Sequence, residues 1–175
     1  MKSTLLMLPM LLIMAVAAQA QPAEKFNYAV SEVSVSSFNK LVVNANVDVV
    51  LVQNDSLKKA YIEGDEKLVP EISITVSDGV MTIASSHKQT SYRGKVQVNV
   101  TVQELQKLEI NADAGVVSFD ALHSPKLFVN INGFCDLHLK SNGKIFLDAD
   151  EDYWIKYRNI SSEKSNVVVR GGSEG

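Results

Sequence analysis

Four segments of the chain share one alternation of apolar and polar positions: Leu41-Val-Val-Asn-Ala-Asn46, Leu108-Glu-Ile-Asn-Ala-Asp113, Leu127-Phe-Val-Asn-Ile-Asn132 and Ile145-Phe-Leu-Asp-Ala-Asp150. Each reads apolar, any residue, apolar, Asn or Asp, Ala or Ile, Asn or Asp. The last three begin at positions 108, 127 and 145, a period that fits one turn of a β-solenoid in which each repeat buries its apolar face against the next. Side chains of a strand alternate between faces. Leu41, Val43 and Ala45 therefore share an inward ladder with Leu108, Ile110 and Ala112, with Leu127, Val129 and Ile131, and with Ile145, Leu147 and Ala149. A second alternating run follows each segment, predicting a facing wall built from Val47, Val49 and Leu51; Val117 and Phe119; Cys135, Leu137 and Leu139; and Ile155 and Tyr157. On this alignment Asn44, Asn111, Asn130 and Asp148 form one outward column, and Asn46, Asp113, Asn132 and Asp150 the next.

Between the first and second repeats the pattern predicts inserted strands at Lys59 to Glu63, Glu71 to Val76, Val80 to Ala84 and Lys95 to Val102. Asp78-Gly79 is a two-residue hairpin signal, because a tight turn there requires positive φ. Asn54 to Lys58 and Ser85 to Gly94 read as exposed loops. No run has the 3.6-residue period of an amphipathic helix, and β-branched and aromatic residues dominate. The fold class is all-β, a parallel β-helix-like solenoid with an inserted antiparallel hairpin region.

The start of the chain changes the setting. Lys2, the apolar run Leu5 to Ala18 and the small residues around Ala18-Gln19-Ala20 form an export signal, with cleavage expected after Ala20. No cysteine lies near that point to take a lipid. The expected organisation is a signal peptide at 1–20, an extension at 21–36, a single solenoid domain at 37–170 and a tail at 171–175. An exported chain of this kind resides in the periplasm, on the outer cell surface or in the medium, with no membrane span after cleavage. The sequence holds 17 basic and 20 acidic residues, so it lacks the concentrated basic surface that nucleic acid requires. Cys135 is the only cysteine, and the fold must stand without an internal disulfide.

Several blocks in order then resemble one family. Phe38-Asn-Lys-Leu-Val-Val43, Asp48-Val-Val-Leu-Val-Gln53, Ile62-Glu-Gly-Asp-Glu-Lys-Leu-Val-Pro-Glu-Ile72, Val76-Ser-Asp-Gly-Val-Met-Thr-Ile83, Glu104-Leu-Gln-Lys-Leu-Glu-Ile110 and Val129-Asn-Ile-Asn-Gly-Phe-Cys-Asp-Leu-His-Leu139 are similar to the head GIN domain of putative auto-transporter adhesins, found mainly in Bacteroidetes. Small residues of the family's turns are replaced by Val47, by Phe134-Cys135 and by Glu151-Asp152. The resemblance implies a right-handed β-helix-like exported domain with an adhesive surface role.

Catalytic chemistry finds little support. His87, His123 and His138 stand in unrelated contexts, no metal-binding pair of motifs occurs, and Gly171-Gly-Ser-Glu-Gly175 lacks the strand and helix that a nucleophile elbow needs. No enzyme and no cofactor are expected. The outward positions carry more information. Asn side chains stacked on successive strands can bond one another with no ligand present. Phe128 and Phe146 share the outward parity one repeat apart, with Trp154 beyond, and exposed aromatics serve as sugar or protein platforms. The candidate contact surface is therefore Phe128, Asn130, Asn132, Phe146, Asp148 and Asp150, facing a glycan or protein at the cell surface. Asp148, Asp150, Glu151 and Asp152 supply the oxygen ligands that calcium prefers, although their spacing matches no calcium loop. Two further readings are a self-assembling solenoid, since open ends invite strand addition between copies, and a carbohydrate-active β-helix enzyme, which would need a cleft of converging acidic or basic groups.

Overall fold

The computed structural model describes residues 27–87, 90–149, 156–157, 161–162 and 168–170. The expected signal peptide, the tail at 171–175, Asp150, Glu151, Asp152, Trp154 and Ile155 lie outside the described residues, as does the side chain of Tyr157. The chain is all-β. Its strands are β1 (Tyr28–Ser34), β2 (Lys40–Asn44), β3 (Asp48–Gln53), β4 (Lys59–Asp65), β5 (Ile72–Ser77), β6 (Val80–Ser85), β7 (Val96–Val102), β8 (Lys107–Ile110), β9 (Ala114–Ser118), β10 (Lys126–Ile131), β11 (Cys135–His138), β12 (Lys140–Ser141), β13 (Lys144–Ala149), β14 (Lys156–Tyr157), β15 (Ser161–Ser162) and β16 (Val168–Arg170). One short 3-10 turn, Val69–Glu71, is the only helical element among the described residues.

Among the described residues the strands form two mixed seven-stranded sheets, ordered β1-β4-β7-β3-β9-β11-β14 and β16-β13-β10-β8-β2-β6-β5, neither closed into a barrel, and a short pair β12-β15. Of the two large sheets the former is the first sheet and the latter the second. Each repeat gives one strand to each: β2 and β3, β8 and β9, β10 and β11, β13 and β14. Neighbouring repeats pair in parallel. A single apolar core joins both sheets, with Leu41, Val43, Leu51, Leu108, Ile110, Leu127, Ile131, Leu137 and Ile145 all fully buried. At about 25 cal/mol per Å² of apolar surface removed from water, each such side chain contributes about 1.5–3 kcal/mol.

The insertion extends this stack instead of standing beside it. Strands β6 and β7 pair in parallel with β2 and β3 and so form a rung of their own, with Met81 opposite Leu41 and Ile83 opposite Val43. Ala84 stands opposite Asn44, so the polar mark that identified the other repeats is missing here. Strands β5 and β4 then pair antiparallel with β6 and β7. The β5–β6 turn carries positive φ at both Asp78 and Gly79, as the two-residue hairpin demands. Strand β1, from the segment expected to be an extension, joins β4 as an edge.

Three expectations are corrected. Val117 and Phe119 do not line the core: Phe119 is 70 % exposed, while Ala114, Val116 and Ser118 are buried. The inward parity of Leu108 and Ile110 continues unbroken around the corner, because Val116 must stand opposite Val49 and Leu137. Ser118 is tolerated inside because its hydroxyl accepts from the Lys140 backbone N–H at 2.7 Å. Ala112, placed in the ladder, is only half-buried at that corner. Finally, the segment Ser85 to Gly94 is not wholly a surface loop, since Tyr92 is 1 % exposed and packs into the core.

Candidate functional site

The outer face of the second sheet carries the candidate residues. Inward positions Leu127, Val129 and Ile131 are fully buried, which turns Phe128, Asn130 and Asn132 outward. Strand β13 repeats the arrangement, and its register sets Phe128 beside Phe146 and Asn130 beside Asp148. The two rings stack, with centroids 4.9 Å apart and planes inclined by 16°. Phe128 is 47 % exposed and Phe146 half-buried. An offset stacked pair adds about 0.5–1.5 kcal/mol beyond its area, so the platform is held in shape before any partner arrives.

The polar columns follow a different register from the sequence alignment. Asn130 stands opposite Glu109, not Asn111, and Val129 opposite Leu108. This slip of two residues brings Asn132 to Asn111, whose side chain takes the Asn132 Nδ2 hydrogen bond at 2.7 Å and donates its own to Asn44 at 2.9 Å. Asn44, Asn111 and Asn132 thus make one ladder that satisfies itself. Asn46 is separate, accepting from the Asp113 backbone N–H at 2.9 Å and donating to the Thr90 carbonyl. Parity could not reveal the slip, because a shift of two leaves every side chain on its face.

Beside the aromatic pair the face becomes ionic. Lys107 stands next to Phe128 in register, and Glu109 is held by Lys40 at 2.8 Å and by Lys107 at 3.7 Å. The hydrogen bond from Lys40, opposed by partial burial and helped by Asn111, holds the Glu109 carboxyl below its ordinary range. The face therefore runs from a charged strip on β2 and β8 to an aromatic strip on β10 and β13. Of the proposed acidic calcium ligands only Asp148 is described, and it is exposed. Among the described residues no three acidic, histidine or cysteine side chains converge to hold a metal ion.

Sequence reasoning missed two features of the first sheet. Arg93 lies over Gly115, with its guanidinium 3.2 Å from Asp48 and 3.2 Å from Asp113, and 4.0 Å from Asp136. A Cβ at Gly115 would stand 2.5 Å from the Asp48 carboxylate and 3.0 Å from Arg93. A glycine inside a strand pattern is the signal that could have exposed this close approach. Next to this cluster Tyr28, Asp48, Glu63, Lys95 and Gln97 line a shallow cleft of about 220 Å³. The second feature is an outward apolar group, Val50 and Val52 on β3, Val117 on the adjoining β9 and Phe119 just after it.

No curated protein matches the sequence. Among solved structures, a putative adhesin from Parabacteroides distasonis is 22% identical with a TM-score of 0.52, covering 74% of this chain and 64% of that one. A putative adhesin from Parabacteroides merdae is 18% identical with a TM-score of 0.49, covering 70% of this chain and 58% of that one. A putative lipid binding protein from Parabacteroides distasonis is 13% identical with a TM-score of 0.48, covering 74% of this chain and 60% of that one. The chain thus spans less than two thirds of the length of each of these neighbours, and at such identities the likeness concerns the fold alone. The family model described as putative auto-transporter adhesin, head GIN domain, matches residues 37–151, and the chain belongs to that family.

Proposed function

We propose that this chain is an exported, non-enzymatic binding module of the cell envelope that recognises a glycan or protein partner through the outer face of the second sheet. The stacked Phe128–Phe146 pair carries the reading. A pre-formed aromatic surface flanked by Asn130 and Asp148 offers ring faces to the C–H groups of a sugar or to apolar protein side chains, and polar groups to their edges. No cofactor is needed for such recognition. The family's adhesin description supports the same role. Export is supported by the basic, apolar and small-residue sequence of residues 1–20, and no helix among the described residues is long and apolar enough to cross a membrane. A right-handed solenoid is supported by the parallel crossovers β8 to β10 and β10 to β13, each passing through the opposite sheet, since such crossovers are right-handed in about 98% of cases.

Screening the purified chain against envelope glycans and surface proteins, with Phe128→Ala in parallel, tests the assignment. Loss of an exposed interface anchor is expected to weaken binding by more than about 1 kcal/mol, roughly fivefold or more. A partner that binds both forms equally refutes this face as the site.

A further inference from the structure

We propose that the outer edge of β1 pairs antiparallel with β1 of a second copy of this chain, extending the first sheet across a twofold axis at Ser31. Strand β1 ends the first sheet, and among the described residues nothing pairs with its other side. The flanking hydrogen bonds fix which groups are free. Val35 N–H donates to Lys58, and the Asn27 carbonyl accepts from Glu66. In an antiparallel ladder the hydrogen-bonding residues alternate. The odd-numbered residues of β1 therefore face β4, and Tyr28, Val30, Glu32 and Ser34 turn their N–H and C=O outward. Such an edge attracts another strand unless charge, proline or a bulge protects it. Only Glu32 is charged here, and it is engaged by Lys59 at 2.5 Å.

Self-complementarity selects the occupant. With Ser31 opposite Ser31, Val30 meets Glu32 and Tyr28 meets Ser34 of the second copy as hydrogen-bonded pairs, so every outward backbone group of the strand is used. On the inward side Ala29 meets Val33. A register centred on Glu32 would set two carboxylates face to face, which is disfavoured, and one centred on Val30 gives Ser34 no partner within Tyr28–Ser34. Tyr28 and Val30 are 59 % and 57 % exposed, and pairing places each beside a new neighbour. With β6 and β7 taken as one rung, the first sheet continues two strands beyond β7 and the second one strand beyond β6, so β1 stands one strand past the β5 edge. The axis stands perpendicular to the sheets, so the two copies turn corresponding faces the same way. On the reading of Phe128 and Phe146 as a recognition face, the dimer would present two such faces on the order of 50 Å apart, giving avidity on a surface with repeated sites. The pairing itself does not depend on that reading.

Sedimentation equilibrium of the purified chain at up to about 100 μM should show a monomer–dimer equilibrium. Ser31→Cys should form a covalent dimer on oxidation, because a non-hydrogen-bonded antiparallel pair sets its Cα atoms about 4.5 Å apart, within disulfide reach. Val30→Pro removes an outward N–H while leaving the β4 ladder whole, and should weaken the dimer at least tenfold with little change in melting temperature. Val30→Glu, which opposes Glu32 of the second copy, should do the same and serves if the proline variant fails to fold. A chain that stays monomeric, or a dimer that survives either variant and leaves Ser31→Cys uncrosslinked, overturns the proposal. None of these measurements involves a partner of the Phe128 face, so failure here and failure of the binding assignment are separately visible.

Discussion

Asn132 and Asn111, 21 residues apart in the chain, are joined side chain to side chain at 2.7 Å. Asn111 passes the interaction on to Asn44 at 2.9 Å, so its amide is donor on one side and acceptor on the other. Each net hydrogen bond at an accessible position is worth about 0.5–1.5 kcal/mol. Asn111→Ala should therefore lower stability by about 1–2 kcal/mol, and Asn132→Ala by about half as much, since it ends one bond and leaves the other. Urea unfolding of the two variants measures this. Equal losses would mean that the amides act singly and not as a ladder.

That ladder also shows what could be read without coordinates. Alternation correctly set Leu127, Val129, Ile131, Cys135, Leu137 and Leu139 inside and Asn130 and Asn132 outside, because burial selects a face directly. Register was harder. Aligning Asn130 with Asn111 preserves the same faces as aligning Asn132 with Asn111, and only the backbone path around the corner decides between them. The rung of β6 and β7 is unmarked in the sequence for a related reason: its core residues Met81 and Ile83 fit the apolar pattern, but Ala84 replaces the Asn. Arg93 was invisible because its partners Asp48, Asp113 and Asp136 come from three separate segments. Of the candidate surface, the Phe128–Phe146 neighbourhood was legible from parity and spacing, because β10 and β13 keep the aligned register and the slip lies between β8 and β10.

Phe119 and Leu137 offer a test of the corrected parity in the first sheet. Phe119 is 70 % exposed and Leu137 fully buried. Phe119→Ala should change stability by no more than about 0.5 kcal/mol, as surface substitutions usually do. Leu137→Ala should cost about 2–5 kcal/mol through lost burial and a residual cavity. Thermal or chemical unfolding compares them, and a large loss for Phe119→Ala would return that ring to a second packed layer.

The pair Lys40 and Glu109 predicts a response to acid. The Lys40 hydrogen bond keeps the folded carboxyl ionised below its ordinary pKa of 4.5. The unfolded state therefore binds the proton first, and the stabilisation present above pH 4.5 is lost as pH falls through the depressed folded value. Lys40→Met removes the main cause. The stability difference between the native chain and this variant should be constant near neutrality and shrink in acid, and a difference that stays fixed down to strongly acid pH would exclude Glu109 as the responsive group.

Cys135 predicts the opposite limb. It is 5 % exposed on β11, opposite Ala114, and burial pushes its thiol up to about 12 from an ordinary 9.0, with Arg93 pulling weakly the other way. The folded chain then holds the proton at neutral pH, and a thiol-specific reagent should react only as fast as the chain opens, becoming rapid in denaturant. Raising the pH adds a thermodynamic consequence. Below 9.0 both states keep the proton; between 9.0 and about 12 only the unfolded chain releases it, so stability falls across that window. Cys135→Ala abolishes this contribution and leaves the rest of the chain unchanged. Urea midpoints of the two chains should therefore differ by a constant amount below pH 9.0 and converge or cross above it. Fast labelling of the native chain near neutrality, or parallel alkaline profiles, would show that the thiol is open to solvent.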